Sequence, residues 1–447
     1  MAKAIDMTTG SPAKNIIHFA WPILAGYLFQ QIYSLADKVI VGQFVGDAAF
    51  SAVGATAAPS NIFMSLTIGL AAGSGVVAAQ FFGAKDDKNT AKAVVNGLYV
   101  TAVFSILFTF VALLLTEPLL RLLGTPESLM KDASVYMKIY LAGSLAVAMY
   151  YTPFSILQAF GDSKTPLIFL VVCSIINIIL DILFVVPPLN WGVAGAAIAT
   201  VIAQLVSAIM CLVYSVVKVP QFKEALHYLK PDFCMIKRVV RVGIPSGFQS
   251  ALIFISSLVL QAVVNGFGET VIGAFTSTTQ IEMLAIQIPN AISAAMLTYV
   301  GQNVGAGKVE RVKNGLRSSL LISTVVTCVL VAILWVFGEP IMSIFVSDEA
   351  IISMAANAMR IESLFLFAYG SSRILQYVLN GAGDSTFSMI NGIVEIIARV
   401  TFAFALTTIP FIGVWGIWIT TGCTWIVTTI TSFVRYKSGI WRRKSVM

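Results

Sequence analysis

Charge is what this chain is short of. Asp, Glu, Lys and Arg make up 11% of its 447 residues, against roughly 25% in soluble domains, so a soluble fold is excluded. Histidine is nearly missing: His18 and His227 are the only two. They lie far apart, and neither His-Glu-x-x-His nor Gly-x-Ser-x-Gly occurs, which leaves an intramembrane enzyme without its ligands or nucleophile. The five cysteines (Cys173, Cys211, Cys234, Cys328, Cys423) are dispersed and form no CxxC, so no disulfide framework or metal site is indicated. Four of them fall in apolar stretches and read as small buried thiols. No secretory signal is expected, because the first 14 residues are mostly polar and the first apolar stretch exceeds a signal-peptide core.

What is present is hydrophobicity, at 58% of residues and a mean hydropathy of +0.89. Apolar stretches long enough to cross a hydrocarbon core of roughly 30 Å recur from end to end. Twelve spans are predicted, at 15–41, 48–80, 93–116, 134–159, 164–186, 192–217, 239–264, 271–303, 314–337, 352–380, 386–408 and 412–434. An even count puts both ends of the chain on one side. Of the 28 Lys and Arg, 21 fall in segments on that side and four (Arg121, Lys131, Lys138, Arg360) on the other. Lys38, Arg373 and Arg399 fall within spans. The positive-inside bias makes the basic side cytoplasmic. It also accounts for the net charge of +7 without nucleic acid. The expected setting is the cytoplasmic (inner) membrane, multi-pass, with lipid around a monomer.

The chain repeats itself. Gln80-Phe-Phe-Gly-Ala-Lys recurs as Gln302-Asn-Val-Gly-Ala-Gly-Lys, and Gly161-Asp-Ser as Gly383-Asp-Ser, both 222 residues on. Gly192-Val-Ala-Gly returns as Gly413-Val-Trp-Gly with Thr200 meeting Thr421, and Pro22 pairs with Pro245. The expected organisation is an N-terminal six-helix lobe (1–217), a cytoplasmic linker (218–237) and a C-terminal six-helix lobe (238–447). Six spans per half give both halves one orientation, a parallel repeat of the kind found in transporters. No span is polar enough to line a channel.

Ionisable groups at membrane depth are functional candidates. Asp37 ends the first span, roughly 33 Å from Asn15, and reads either as interfacial or as inward-facing, with Lys38 snorkelling outward. In Asn177-Ile-Ile-Leu-Asp181 the two polar groups stack on one helical face. Asp181, Thr200 and Tyr33 fall at a depth similar to that of Asp37. Two carboxylates in low dielectric suit a proton carrier, and the same oxygens with Asn177 and Thr200 suit sodium. The second half does not copy this set, since Leu260 and Ala403 stand opposite Asp37 and Asp181. It holds Glu395 and Arg399, spaced i,i+4 as a structural ion pair, and Glu282, without an obvious partner. Glu282, Glu395 and Arg399 are candidates for cargo recognition or a second coupling site. Arg373 is expected to snorkel from the inner end of its span, and Glu362 to sit in the outer headgroup zone. The Gly-Asp-Ser turns are expected to cap the helices that follow. Pro22, Pro59, Pro245 and Pro289 are expected to kink theirs.

These motifs resemble the multidrug and toxic compound extrusion (MATE) family: SLADKVIVGQFVG, QFFGAK with QNVGAGK, the paired Gly-Asp-Ser, and NIILDILF followed by GVAGAAIAT. The resemblance spans both halves. It implies an all-α, twelve-helix, two-lobed V-shaped fold, and antiport in which entering protons or sodium drive export of varied, often cationic, drug-like compounds. It places coupling on Asp37, Asn177 and Asp181, with Tyr33 and Thr200 in support. TTQIEMLA is similar to a family version with an acid in the C-terminal lobe, which adds weight to Glu282. No cofactor beyond the coupling ion is implied. A flippase for lipid-linked saccharides is the alternative, and would favour cations lining the cavity; only Arg373 and Arg399 qualify.

Overall fold

The computed structural model describes residues 5–447, apart from the side chains of Lys38 and Asp47. Lys3 and the expected outward reach of Lys38 lie outside the described residues. All regular structure among the described residues is helical. The first half runs α1 (Pro12–Phe44), α2 (Asp47–Gly83), α3 (Asp87–Leu122), α4 (Glu127–Ala142), α5 (Ser144–Ala159), α6 (Lys164–Val185) and α7 (Gly192–Lys218). A short α8 (Pro220–Ala225) bridges to the second half. There α9 (Phe233–Val264), α10 (Glu269–Ala285), α11 (Gln287–Gly305), α12 (Val309–Met342), α13 (Glu349–Ser363), α14 (Leu366–Gly381), α15 (Ser385–Thr407) and α16 (Gly416–Lys437) follow.

Among the described residues nine helical spans are long and apolar enough to cross a membrane, with α10 and α11 read as one. The count rises to eleven if α4 with α5 and α13 with α14 are each one bent span. The 33-residue α1 packs against α6 and α11 and completes the twelve. The two bent pairs turn by 44° and 48°. They break at Gly143 and at Leu364–Phe365, positions related by the 222-residue offset, and neither break is made by a proline. A Cβ at Gly143 would stand 2.5 Å from Val201, so the first bend presses α4–α5 against α7. Pro22, Pro59 and Pro245 lie inside long helices. Pro289 instead occupies the first turn of α11 after a break at Ile286, where its missing N–H costs little.

The halves meet backbone to backbone. Gly69 and Gly73 of α2 face Gly247 and Gly243 of α9, and a Cβ added at Gly73 would fall 2.5 Å from the Gly243 Cα. Small residues four apart on both helices permit this approach. Residues Ile16, Phe19 and Ile23 of α1 are buried in a cluster made mainly by α11, α12 and α14. These junctions all lie in the half of the molecule nearer the basic face.

The turns have diverged despite their shared motif. Asp162 does cap α6, its carboxylate accepting from the Lys164 and Thr165 N–H groups at 3.1 and 3.0 Å. Asp384 makes no such cap. It is buried and accepts a forked pair from Arg435 at 2.7 and 3.1 Å. The reason is tertiary: Arg435 ends α16, which packs beside α15. Of the four cysteines expected to be buried, Cys211 is buried, Cys173 and Cys423 are half-buried, and Cys328 on α12 is exposed.

Candidate coupling and cargo sites

In the N-terminal lobe the apolar shell comes from α1, α2, α4, α6 and α7, through Ile40, Val41, Val53, Val185, Val193 and Ala197. Into it α6 projects Asn177 and Asp181 one turn apart, both almost fully buried. The Asn177 Nδ2 donates to Thr200 Oγ1 of α7 at 3.3 Å, and Thr200 in turn donates to the Ala196 carbonyl at 3.0 Å. The carboxyl of Asp37 on α1 meets that of Asp181 within hydrogen-bonding reach. Tyr33, one turn before Asp37, lies within electrostatic reach of it. Asp37, Asn177, Asp181 and Thr200 therefore come together, with Tyr33 one turn away on α1.

The charge balance of this group is unusual. Neither carboxylate oxygen of Asp181, nor Asn177 Oδ1, receives a hydrogen bond from a protein donor among the described residues. A carboxylate facing a carboxylate has no proton to share unless one is brought in, and a buried charge left so is costly. The arrangement can accept a proton between the two acids, or a hard cation among oxygens of Asp37, Asp181, Asn177 and Thr200. Tyr136 of α4, within electrostatic reach of both acids, was not picked out in the sequence. Its stacking on Tyr140, with ring centroids 6.1 Å apart, belongs to an i,i+4 tyrosine pair that could have signalled it. Leu260 and Ala403, at the equivalent positions of the second half, are buried in ordinary apolar packing.

The second half carries a different cluster. Glu395 and Arg399 form the expected buried ion pair at 3.2 Å. Glu282 does have a partner, and it is Glu362: the two side chains lie within hydrogen-bonding reach, with Arg399 nearby. Glu362 was expected in the headgroup zone but is 3% exposed. The bend after Ser363 turns α13 so that Glu362 faces α10, while Arg360 reaches outward towards Glu339 at 3.8 Å. Arg373 does not snorkel. It lines the space between the halves, with its guanidinium 5.3 Å from the Tyr369 ring centroid and donating to Gln376 Oε1 at 3.3 Å. Flat π-contact and a side-chain amide hold it in place of headgroups.

Between the halves lies a cavity of about 150 Å³. The aromatic trio Tyr150, Tyr151 and Phe154 forms one wall, with ring centroids 5.1–5.9 Å apart, and Pro22, Gly26 and Gln30 of α1 form another. A second hollow, lined by Gln249, Asn380 and Arg373, shares Ile68, Ala72, Leu297 and Tyr377 with it. The cavity is thus mostly apolar and aromatic with a few polar groups, which suits small organic molecules.

A twelve-helix repeat with buried acids beside a central cavity defines a multi-pass membrane transporter. The sequence model of the MatE family matches residues 22–183 and 245–405, one match in each half. The chain belongs to the MatE family. It is 26% identical over 436 residues to a probable multidrug resistance protein, YoeA, of Bacillus subtilis, covering 96% of this chain and 94% of that one. It is 27% identical to the probable multidrug resistance protein NorM of Thermotoga maritima, with 97% and 94% covered. Among solved structures, an outward-facing multidrug resistance MATE family transporter of the MOP superfamily superposes with a TM-score of 0.91 at 24% identity, with 99% of both chains covered. A MOP superfamily transporter from Pyrococcus furiosus, described as having a binding pocket of reverse polarity and a different function, superposes at 0.90 with 24% identity and 98% of both chains covered.

Proposed function

We propose that the protein is a cation-coupled antiporter, driven by H⁺ or Na⁺. In this reading it exports lipophilic, often cationic compounds across the cytoplasmic membrane by alternating access, with its basic face in the cytoplasm. The lobes are taken as 1–217 and 238–447, joined by 218–237. Relatives named as multidrug resistance proteins support the cargo class. The observation that carries the coupling is the buried meeting of Asp181 and Asn177 with Asp37, where Asp181 has no hydrogen-bond donor among the described residues. The apolar, aromatic cavity supports lipophilic cargo. Arg373, which lines it, is engaged by Tyr369 and Gln376, which weighs against an anionic lipid-linked cargo.

The first helix links the two functions. Its end bears Asp37 in the N-terminal lobe, its start packs into the second half, and between them Pro22 and Gly26 line the cavity. A proton or cation reaching Asp37 and Asp181 removes their repulsion and changes the packing of α1 on α6. The change is felt at Gly26, whose Cα region lies against Leu167 and Leu170, and so at the cargo. Glu282 and Glu362, beside Arg399, serve as cargo-recognition or second coupling groups in this scheme.

The test is drug uptake into inverted vesicles, with a pH gradient and a sodium gradient imposed separately. One of the two should drive accumulation, and Asp37→Asn should abolish it while the protein stays folded. Normal gradient-driven transport by Asp37→Asn rejects the coupling assignment.

A further inference from the structure

Where α2 and α11 end, the two halves form a knot with twofold pseudo-symmetry. Gln80 and Gln302, both fully buried, reach across it. Gln80 Nε2 donates to the Gly381 carbonyl at 2.9 Å, and Gln302 Nε2 donates to the Ala159 carbonyl at 2.7 Å. Donors and acceptors are each related by 222 residues. Gly83 and Gly305, also 222 apart, let the helix ends touch: a Cβ at either would lie 2.0 or 1.8 Å from the carbonyl oxygen of Gln302 or Gln80.

The remaining acceptor of each glutamine is taken by a segment outside the bundle. Gln302 Oε1 accepts from the Met7 N–H at 3.0 Å. Gln80 Oε1 accepts from the Val446 N–H and the Ser445 hydroxyl, both at 2.9 Å. Residues 5–10 are strapped to the second half, Arg311 donating to the Met7, Thr9 and Gly10 carbonyls, yet the Ile5 N–H donates to Gly161 in the first half at 3.0 Å. The segment after α16 starts in the second half, where Trp441 is buried, and ends with Val446 inside the core of the first. Gly161 and Gly383 have φ of +89° and +92°, and a Cβ at either would clash with Ile5 O or Lys444 O, at 2.2 and 2.4 Å. The same two turns thus receive the two straps.

We propose that this knot is the cytoplasmic gate of the transport cycle. Gln80 and Gln302 are its positioning residues, and the segments 5–9 and 444–446 are its latches. Opening the basic face requires both glutamines to let go of the opposite half and both straps to leave their turns. The proposal rests on the alternating-access reading and extends it to the residues that hold one of its states. Buried amide bonds, rather than ion pairs, close this gate, so it holds at high salt, where exposed charge pairs are screened.

The test reads lobe separation directly and needs neither cargo nor gradient. Spin labels are placed at Lys164→Cys and Thr386→Cys, exposed equivalent sites starting α6 and α15, in a chain lacking its five native cysteines and held in nanodiscs. Double electron–electron resonance then compares the full chain with one ending at Lys444 and with Gln302→Leu. Each change should raise the ratio of separated to closed lobes about tenfold, from loss of two hydrogen bonds. The two changes together should add. An unchanged distance distribution in both variants overturns the gate, as does a lowered melting temperature with distances unmoved, which is what a purely structural role gives. Should the shortened chain not purify, Gln302→Leu with the paired variant Gln80→Leu is read in the same way. Separated lobes with no drug transport would instead leave the gate standing and count against the cargo assignment.

Discussion

Asp181→Asn should make the protein more stable and useless as a gradient-driven pump. In the native chain Asp181 is fully buried, faces Asp37, and receives no hydrogen bond on either oxygen among the described residues. Asparagine has nearly the same shape, so no cavity forms. Its new amide can donate to the Asp37 carboxylate or to Asn177 Oδ1, which has no donor among the described residues. A hydrogen bond to a charged group contributes about 1.5–3 kcal/mol, and the repulsion between two buried carboxylates disappears as well. The variant should therefore unfold at a temperature several degrees higher, measured by intrinsic fluorescence of the purified protein in detergent. In vesicles it should lose accumulation under an imposed gradient while still exchanging drug for drug. A less stable variant, or one that still follows the gradient, refutes the view that Asp181 is the acid that takes up the coupling cation.

Two further expectations follow from the packing and the linker. Gly73→Val places a Cβ about 2.5 Å from the Gly243 backbone, where carbon atoms need roughly 3.5–4.0 Å; α2 and α9 must part by about 1 Å, at a cost of about 1–3 kcal/mol. Gly54→Ala on the same helix meets nothing within 4 Å and should leave melting unchanged or slightly raised, so equal effects of the two would reject the close crossing. Asp232 caps α9 and binds Lys92 at 2.8 Å. The Lys92 ammonium first, and the Met235 N–H next, hold its carboxyl below the usual carboxylate range. A depressed value means stabilisation present above about pH 4 and lost as pH falls through the folded-state value. Thermal melts from pH 7 to 3 should thus show a shallower acid limb for Asp232→Ala; an identical limb contradicts this.

Much of the molecule was legible from local pattern. Run length gives the spans, since a helix crossing lipid must be apolar over most of its length, and the 222-residue offset gives the two halves that the family model matches separately. The N-terminal site was legible because helical phase and depth are simple arithmetic: Asn177 and Asp181 share a face, and Thr200 and Asp37 reach the same level. What stayed hidden depends on bends and distant partners. Nothing at Leu364–Phe365 announces a 48° turn, so the sequence points Glu362 to the outer headgroup zone and not against Glu282. Arg373 was assigned to headgroups because its partner ring, Tyr369, looks like any aromatic in an apolar run. Asp162 and Asp384 sit in the same three-residue motif, and only the presence of Arg435 in the fold separates a cap from an ion pair.

The glycine crossing of α2 and α9 has a mechanical meaning. Where Gly69, Gly73, Gly243 and Gly247 meet, backbone lies directly on backbone, so on the gate proposal the crossing would serve as the fulcrum about which the halves rock. Gln80 lies about 13 Å further along α2. At that lever arm, lengthening a 2.9 Å amide bond by about 0.6 Å, to the limit of hydrogen bonding, takes a rotation of only about 3°. Rocking therefore breaks the far bonds almost at once, while the fulcrum hardly moves. On the gate proposal, the far hydrogen bonds would therefore resist opening chiefly over its first few degrees.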